Sequence, residues 1–360
     1  MVMDIDPKQM KSFTGRLVNW HQSENDRDLP WKNEKDPYKI WLSEIILQQT
    51  RAAQGLPYYL RFLQAYPTIG HMAAAADDDV FRIWQGLGYY NRCRNMLATA
   101  RFISQELGGT FPTTYEGIIA LKGIGPYTAA AIASFAFGLP HAVVDGNVYR
   151  VLSRVFAIAT PFDTTEGKKQ FAELAAKLLD PAASAGYNQA IMDLGATICL
   201  PRNPKCTECP VQKNCLALSR GIIGELPVRS KKVTVTTRYF HFLLLRWNDR
   251  IWIQRREQDD IWQGLHQPLL VEHGSELTAQ DFADTQVFRQ LALPPERLRN
   301  VGAATQRLTH RIIRSVFFEM DVDTPPEGLP DNGQWLSAPM MQKVAFPKTI
   351  LSFLNKNAYF

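Results

Sequence analysis

The chain has 360 residues, 46% of them hydrophobic and 21% charged, which excludes a disordered or low-complexity chain and leaves room for more than one hydrophobic core. Its formal net charge of +5 permits a polyanionic partner without demanding one. No apolar run follows a basic amino terminus and the longest small-and-apolar stretch, residues 129–139, is too short to span a bilayer, so neither a secretory signal nor a membrane segment is expected.

From residue 8 to about residue 219 the periodicity is helical almost throughout. Asp36-Pro37 offers an N-cap with proline at the first helical position, and Trp41, Leu42, Ile45 and Ile46 supply the apolar face of the helix that follows. A second helix is predicted from the acidic start at residues 77–79, broken at Gly86-Leu87-Gly88 and resumed through Arg101. Further helices are predicted over residues 114–120, 126–137, 148–156 and 165–179. Residues 225–232 are polar and basic, contain Pro227, and read as a linker. Beyond them the pattern changes. Residues 233–247 form a long β-branched and aromatic run, Asn248-Asp249 a turn, and residues 251–255 the second strand of a hairpin. Strands over 299–304 and 312–322, with helices near 279–291 and 348–355, complete an α+β domain.

Four of the five cysteines crowd into one 17-residue loop, spaced Cys199-x6-Cys206-x2-Cys209-x5-Cys215. Such crowding points to a metal site rather than to a disulfide framework. Structural zinc more often uses two separated short-spaced pairs, so a single loop suits a cubane iron–sulfur cluster better, with zinc left open by the spacing. Arg202, Lys205 and Lys213 lie between the ligands, either as a solvated surface or as cations for phosphates. Cys93 stands apart and reads as a plain thiol.

Leu121-Lys122-Gly123-Ile124-Gly125-Pro126-Tyr127-Thr128 joins two helical segments. Gly123 and Gly125 allow a tight turn, Ile124 can anchor it, and Pro126 opens the next helix. The turn amides would form an anion site for a DNA phosphate, unless this is an ordinary helical hairpin. Glu44 sits among Trp41, Leu42, Ile45 and Ile46, as an exposed helix-edge residue or as a buried general acid with a raised pKa. Asp145, in Val143-Val144-Asp145-Gly146-Asn147-Val148, precedes a helix and reads as an N-cap. Held ionised by helix amides, it would also stabilise positive charge on a sugar. A protonated Glu beside an ionised Asp suits glycosidic cleavage.

Together these motifs, with Ser43-Glu44 followed by Leu47-Gln48-Gln49-Thr50, resemble the helix-hairpin-helix iron–sulfur DNA glycosylases, and among them the adenine DNA glycosylase (MutY) family. The resemblance covers essentially the whole chain. It implies a multidomain protein: an all-α glycosylase domain over residues 1–224, the linker 225–232, and an α+β Nudix-like lesion-recognition domain over 233–360. The all-α part would comprise a six-helix barrel (28–137) and an iron–sulfur lobe (1–27 with 138–224). It implies a [4Fe-4S] cluster on the four cysteines. It also implies a monofunctional enzyme that removes adenine mispaired with 8-oxoguanine or guanine in double-stranded DNA.

By the same resemblance Glu44 is the general acid at adenine N7 and Asp145 the carboxylate that stabilises or traps the sugar cation, with Tyr127 and Asn147 in support. Gln48, Gln49, Thr50, Tyr89, Gly123 and Gly125 would meet DNA, Gln49 and Tyr89 as wedges. Arg27, Leu29, Trp31 and Gln189 would line the adenine pocket. Leu308, Thr309 and His310 would read the opposite strand, in a loop that is usually Phe-Ser-His. Tyr127 stands where endonuclease III-like lyases carry lysine, so strand cleavage is not expected. Gln286-Val287-Phe288-Arg289 supplies no paired carboxylates, so the second domain should bind without hydrolysing. A monomer acting in a bacterial cytoplasm, or in a eukaryotic nucleus, completes the expectation. The competing readings are an endonuclease III-like glycosylase/lyase and a non-catalytic iron–sulfur DNA-binding protein.

Overall fold

The computed structural model describes residues 6–230, 234–257 and 259–360. The chain packs as two compact units, Met1–Ala73 with Ala98–Lys232 and Ala74–Leu97 with Val233–Phe360. Its first helices are α1 (Pro7–Ser23), α2 (Pro37–Leu47), α3 (Ala52–Ala65), α4 (Ile69–Ala74), α5 (Asp77–Trp84), α6 (Tyr90–Glu106), α7 (Tyr115–Ile119) and α8 (Pro126–Phe137). Then come α9 (Gly146–Val155), α10 (Thr165–Leu178), α11 (Ser184–Thr197) and α12 (Leu216–Ser219). None among the described residues is long and apolar enough to cross a membrane.

In the first unit, local chemistry starts the helices. The Asp6 carboxylate accepts the Lys8 N–H at 2.9 Å ahead of α1, and that of Asp36 accepts the Tyr38 N–H at 2.9 Å ahead of α2, each followed by proline. Helix α2 is buried from Ile40 to Ile46, polar Ser43 and Glu44 included, and packs on α8. A helix apolar on every side is an internal one. A core forms where Phe13 and Leu17 of α1 meet Val151 and Leu152 of α9, Phe171 of α10 and Leu194 of α11. Each such side chain contributes roughly 1.5–3 kcal/mol on burial. The expected linker starts as an anchored strip. Arg154 Nε donates to Leu226 O at 3.1 Å, Phe162 N to Val228 O at 3.2 Å, and Ser230 N to Asp163 Oδ1 at 2.8 Å. Lys231 and Lys232 lie outside the described residues.

In the second unit a seven-stranded mixed sheet runs in the order β3-β2-β1-β6-β5, with β4 also on β1 and β7 on β2. Its strands are β1 (Thr236–Trp247), β2 (Arg250–Arg255), β3 (His266–Gln267), β4 (Leu269–His273), β5 (Arg299–Arg307), β6 (Arg311–Asp321) and β7 (Gly333–Ser337). Val233, the expected start of the first strand, lies outside the described residues. The long β1 pairs in parallel with β6 and antiparallel with β2 and β4. Its Leu243 and Leu245 share a core with Phe282, Phe288 and Phe318. The helix expected over 279–291 is two, α13 (Ala279–Ala283) and α14 (Gln286–Gln290), because Thr285 Oγ1 turns to accept the Phe288 N–H at 3.3 Å and starts a new one. Helices α15 (Ala338–Met341) and α16 (Lys348–Lys356) follow. Residues 74–97, which fall inside the expected 28–137 segment, pack with this unit: Arg94 Nη1 donates to Gln263 O at 2.6 Å and Phe346 N to Gln85 Oε1 at 3.1 Å.

Candidate active site

A cleft of about 940 Å³ in the first unit is lined by Glu44, Tyr127, Asp145, Asn147, Arg27, Leu29, Trp31, Gln49, Thr50 and Gln189. These are ten of the residues singled out from sequence, drawn from five stretches of chain. Glu44 is 7% exposed, so it is no helix-edge residue. Burial raises its carboxyl to about 7; a hydrogen bond with the Tyr127 hydroxyl opposes the rise and the nearby Asp145 adds to it. Burial, together with the two carboxyls, pushes the Tyr127 phenol well up, so it keeps its proton. The same hydroxyl lies 3.5 Å from Met192 Sδ.

Asp145 caps α9 as its sequence position requires. Its Oδ1 accepts the Val148 N–H at 2.8 Å and its Oδ2 the Asn147 amide at 2.7 Å. Those donors and Arg150 pull the Asp145 carboxyl down, but burial is larger and leaves it above its ordinary value. Asn147 is fixed in turn, its Oδ1 accepting Arg150 Nη2 at 2.8 Å. It fits only because α11 offers Gly195 opposite, where a Cβ would stand 2.6 Å from the Asn147 Cβ.

Sequence reasoning missed Asp193, fully buried behind Arg27 and Gln189, and His21, which lines the cleft. Arg27 Nη1 stands 2.6 Å from Asp193 Oδ1. The signal was present: a carboxylate between Met192 and Leu194 in an apolar helix has the pattern that drew attention to Glu44.

At the end of α2 the chain turns through Gln48-Gln49-Thr50. Gln48 Nε2 reaches Thr128 Oγ1 at 3.4 Å, and exposed Gln49 adopts φ 56°. Tyr89, in the second unit, is 47% exposed at φ 51°. A non-glycine residue in this left-handed region costs about 1–2 kcal/mol. In the hairpin, Gly123 supplies φ 78°, Ile124 is buried, and Thr99 Oγ1 holds Lys122 O at 2.7 Å. Gly125, with open space around it, precedes α8. In the second unit the backbone of the 308–310 loop is pinned, Leu308 N to Arg311 O at 2.7 Å and Thr236 N to His310 O at 3.1 Å, leaving the Thr309 and His310 side chains exposed.

Cys199, Cys206, Cys209 and Cys215 line a separate small pocket with Arg154, whose Nη1 lies 3.4 Å from Cys199 Sγ. Burial pushes the Cys206, Cys209 and Cys215 thiols up, Cys209 to about 12. Among the described residues no three His, Cys, Asp or Glu side chains converge on a single-ion position. Arg202, Lys205 and Lys213 are exposed around this loop.

Residues 42–181 match the model of the HhH-GPD superfamily of base excision DNA repair proteins. The adenine DNA glycosylase of Buchnera aphidicola subsp. Schizaphis graminum is 35% identical over 254 residues, covering 70% of this chain and 73% of that protein. The adenine DNA glycosylase of Homo sapiens is 43% identical over 224 residues, 60% of this chain and 41% of that protein. A thermostable thymine-DNA glycosylase structure superposes with a TM-score of 0.55 at 30% identity, covering 59% of this chain and 98% of that one. An endonuclease III structure with DNA gives 0.52 at 18% identity over 61% of this chain and 99% of that one, which speaks to the helical fold alone. The helical part thus has the HhH-GPD glycosylase fold, a mixed-sheet domain follows it, and the chain belongs to the adenine DNA glycosylase family.

Proposed function

We propose that this protein is a base excision repair enzyme that hydrolyses the N-glycosidic bond of adenine mispaired with 8-oxoguanine or guanine in duplex DNA. The observation that carries the reading is a buried glutamate held near neutrality, hydrogen-bonded by a phenol and beside a second carboxyl, in one cleft large enough for a nucleoside. A base must leave the duplex to reach such a site. Glu44 gives its proton to N7 as the C1′–N9 bond breaks, so adenine departs neutral rather than as an anion. Asp145 stabilises the positive charge left on the sugar, electrostatically or as a covalent trap. Water adds at C1′ and its proton returns to Glu44. Tyr127 orients the Glu44 carboxyl and Asn147 that of Asp145.

Arg27, Leu29, Trp31 and Gln189 form the wall that receives the base. Gln49 and Tyr89, both strained and exposed, act as wedges, and Gln48, Thr50, Gly123 and Gly125 hold the backbone. Adenine is an undamaged base, so its pocket cannot report which adenine is wrong, and the opposite base must be read separately. That task falls to Leu308, Thr309 and His310. Leu308 cannot stack as an aromatic ring would.

Four thiols around a cavity, rather than at a point, fit a multi-atom group, and the buried Arg154 beside them offsets thiolate charge. Cys199, Cys206, Cys209 and Cys215 would hold a [4Fe-4S] cluster that ties the loop to α9. A six-helix barrel over 28–137, an iron–sulfur lobe, and a Nudix-like domain over 233–360 complete the reading, with the protein a monomer working on bacterial cytoplasmic or eukaryotic nuclear DNA.

The test is an excision assay on duplexes carrying 8-oxoguanine opposite adenine, with and without alkali. Abasic sites that break only with alkali are expected. Breakage without alkali would point instead to a lyase, and tight binding without excision to a non-catalytic protein.

A further inference from the structure

Asp193 lies fully buried in α11, and its carboxylate gathers four side chains. Arg27 Nη1 donates to Oδ1 at 2.6 Å, and Gln189 Nε2 to the same oxygen at 3.1 Å. Asn25 Nδ2 donates to Oδ2 at 2.8 Å, and His21 Nδ1 stands 3.8 Å from it. Arg27, Gln189 and His21 line the cleft, with Asp193 behind them.

A carboxylate can only accept hydrogen bonds, so Gln189 must turn its NH₂ toward Asp193. The amide oxygen is then the group left for the cleft, an acceptor. Arg27, drawn to the same carboxylate oxygen, offers only donors. The wall therefore reads acceptor beside donor. Adenine answers with its C6 amino group beside a ring-nitrogen acceptor. Hypoxanthine has nearly the same shape but carries an oxo group at C6, which would face the Gln189 oxygen with no hydrogen between them.

We propose that Asp193 fixes the orientation of the Gln189 amide and thereby makes the cleft select a 6-aminopurine over a 6-oxopurine. The inference rests on the glycosylase reading above. Asp193 is a positioning residue, acting through Gln189.

The test compares single-turnover excision of adenine and of hypoxanthine, each opposite 8-oxoguanine, by the full chain. Asp193→Asn offers Gln189 a donor as well as an acceptor and frees its amide to turn around. The adenine-to-hypoxanthine rate ratio should then fall by about tenfold or more, since a buried polar mismatch costs at least that much. Equal loss on both bases, with the ratio unchanged, would mark Asp193 as merely structural and overturn the proposal. Should Asp193→Asn fail to fold, Gln189→Ala decides, because removing the acceptor must lower the same ratio; an unchanged ratio there overturns the proposal too. In a Gln189→Ala background, Asp193→Asn should lower the ratio no further. Wild-type protein that releases neither base defeats the glycosylase reading and this inference with it. Adenine release with unaltered ratios in both variants defeats this inference alone.

Discussion

Asn147 Nδ2 donates to Asp145 Oδ2 at 2.7 Å, which leaves Oδ1 to accept the Val148 N–H and start α9. Asp145 therefore has a structural task and a proposed chemical one, on different oxygens. Asparagine caps helices as well as aspartate does, so Asp145→Asn should keep the α9 start, but its NH2 then faces the Asn147 donor, and a cost of about 1–3 kcal/mol is expected in chemical unfolding. The neutral amide cannot stabilise a sugar cation, so excision should fall by a factor of ~10³ or more while binding to mispaired duplex is retained. Loss of binding in a folded variant would remove Asp145 from catalysis.

Glu44 sets a conflict between stability and function. Its folded pKa, about 7, lies above the ordinary glutamate value of 4.5. The proton is thus bound more tightly in the folded protein than in the unfolded chain. The stability linked to it is complete below the unfolded value and is lost as pH rises through the folded one. Glu44→Gln abolishes this loss. Relative to wild type, the variant should gain on the order of 3 kcal/mol between about pH 4 and about pH 8, in urea titrations at both ends. Its excision should be absent at every pH. Wild-type excision should decline as pH rises through about 7, because the acid must hold its proton. A wild-type rate that climbs across that range would exclude Glu44 as the proton donor.

What could be read beforehand follows the range of the forces. Asp36, Asp145 and Thr114 cap helices through contacts two or three residues away, and all three starts were legible. Strand β1 was legible because a long β-branched run has no helical alternative. Its parallel pairing with β6 was not, since nothing local records a partner 75 residues away. Strands β3, β4 and β7 escaped notice because they are short and exist only through what they pair with. At the site, motif residues were found and their supports were not. Asp193 holds Arg27, and Arg150 holds Gly195 O, through contacts between distant stretches of chain that only folding creates.

The cysteine loop makes a prediction independent of catalysis. Purified protein should be brown, with broad visible absorption that Cys209→Ala diminishes or abolishes. Burial pushes the Cys209 thiol up to about 12, so its ligation depends on the charge a bound metal group brings. Losing that group should also lower the melting temperature, because the 199–215 loop contains only short helical turns and is otherwise tied to α9 through Arg150 and Arg154. A colourless wild-type protein that contains zinc would overturn the cluster assignment.

His310 gives the last test. The backbone around it is fixed by the Thr236 and Leu308 hydrogen bonds, and Arg311 is tied to Asp260 at 2.9 Å, so the ring projects from a rigid turn. Beside it Thr309 Oγ1 meets the Tyr89 hydroxyl at 2.5 Å, joining the loop to a residue proposed to enter the duplex. A substitution at exposed His310 should leave unfolding unchanged within ~0.5 kcal/mol. An 8-oxoguanine differs from guanine by a C8 oxygen and an N7 hydrogen, and losing one base-reading hydrogen bond costs about 1–3 kcal/mol. His310→Ala should therefore reduce the preference for 8-oxoguanine over guanine opposite adenine by roughly 5- to 100-fold, with guanine-paired adenine excised at nearly the wild-type rate. Parallel single-turnover assays on the two duplexes decide it: an unchanged preference would mean that the opposite base is read elsewhere in the chain.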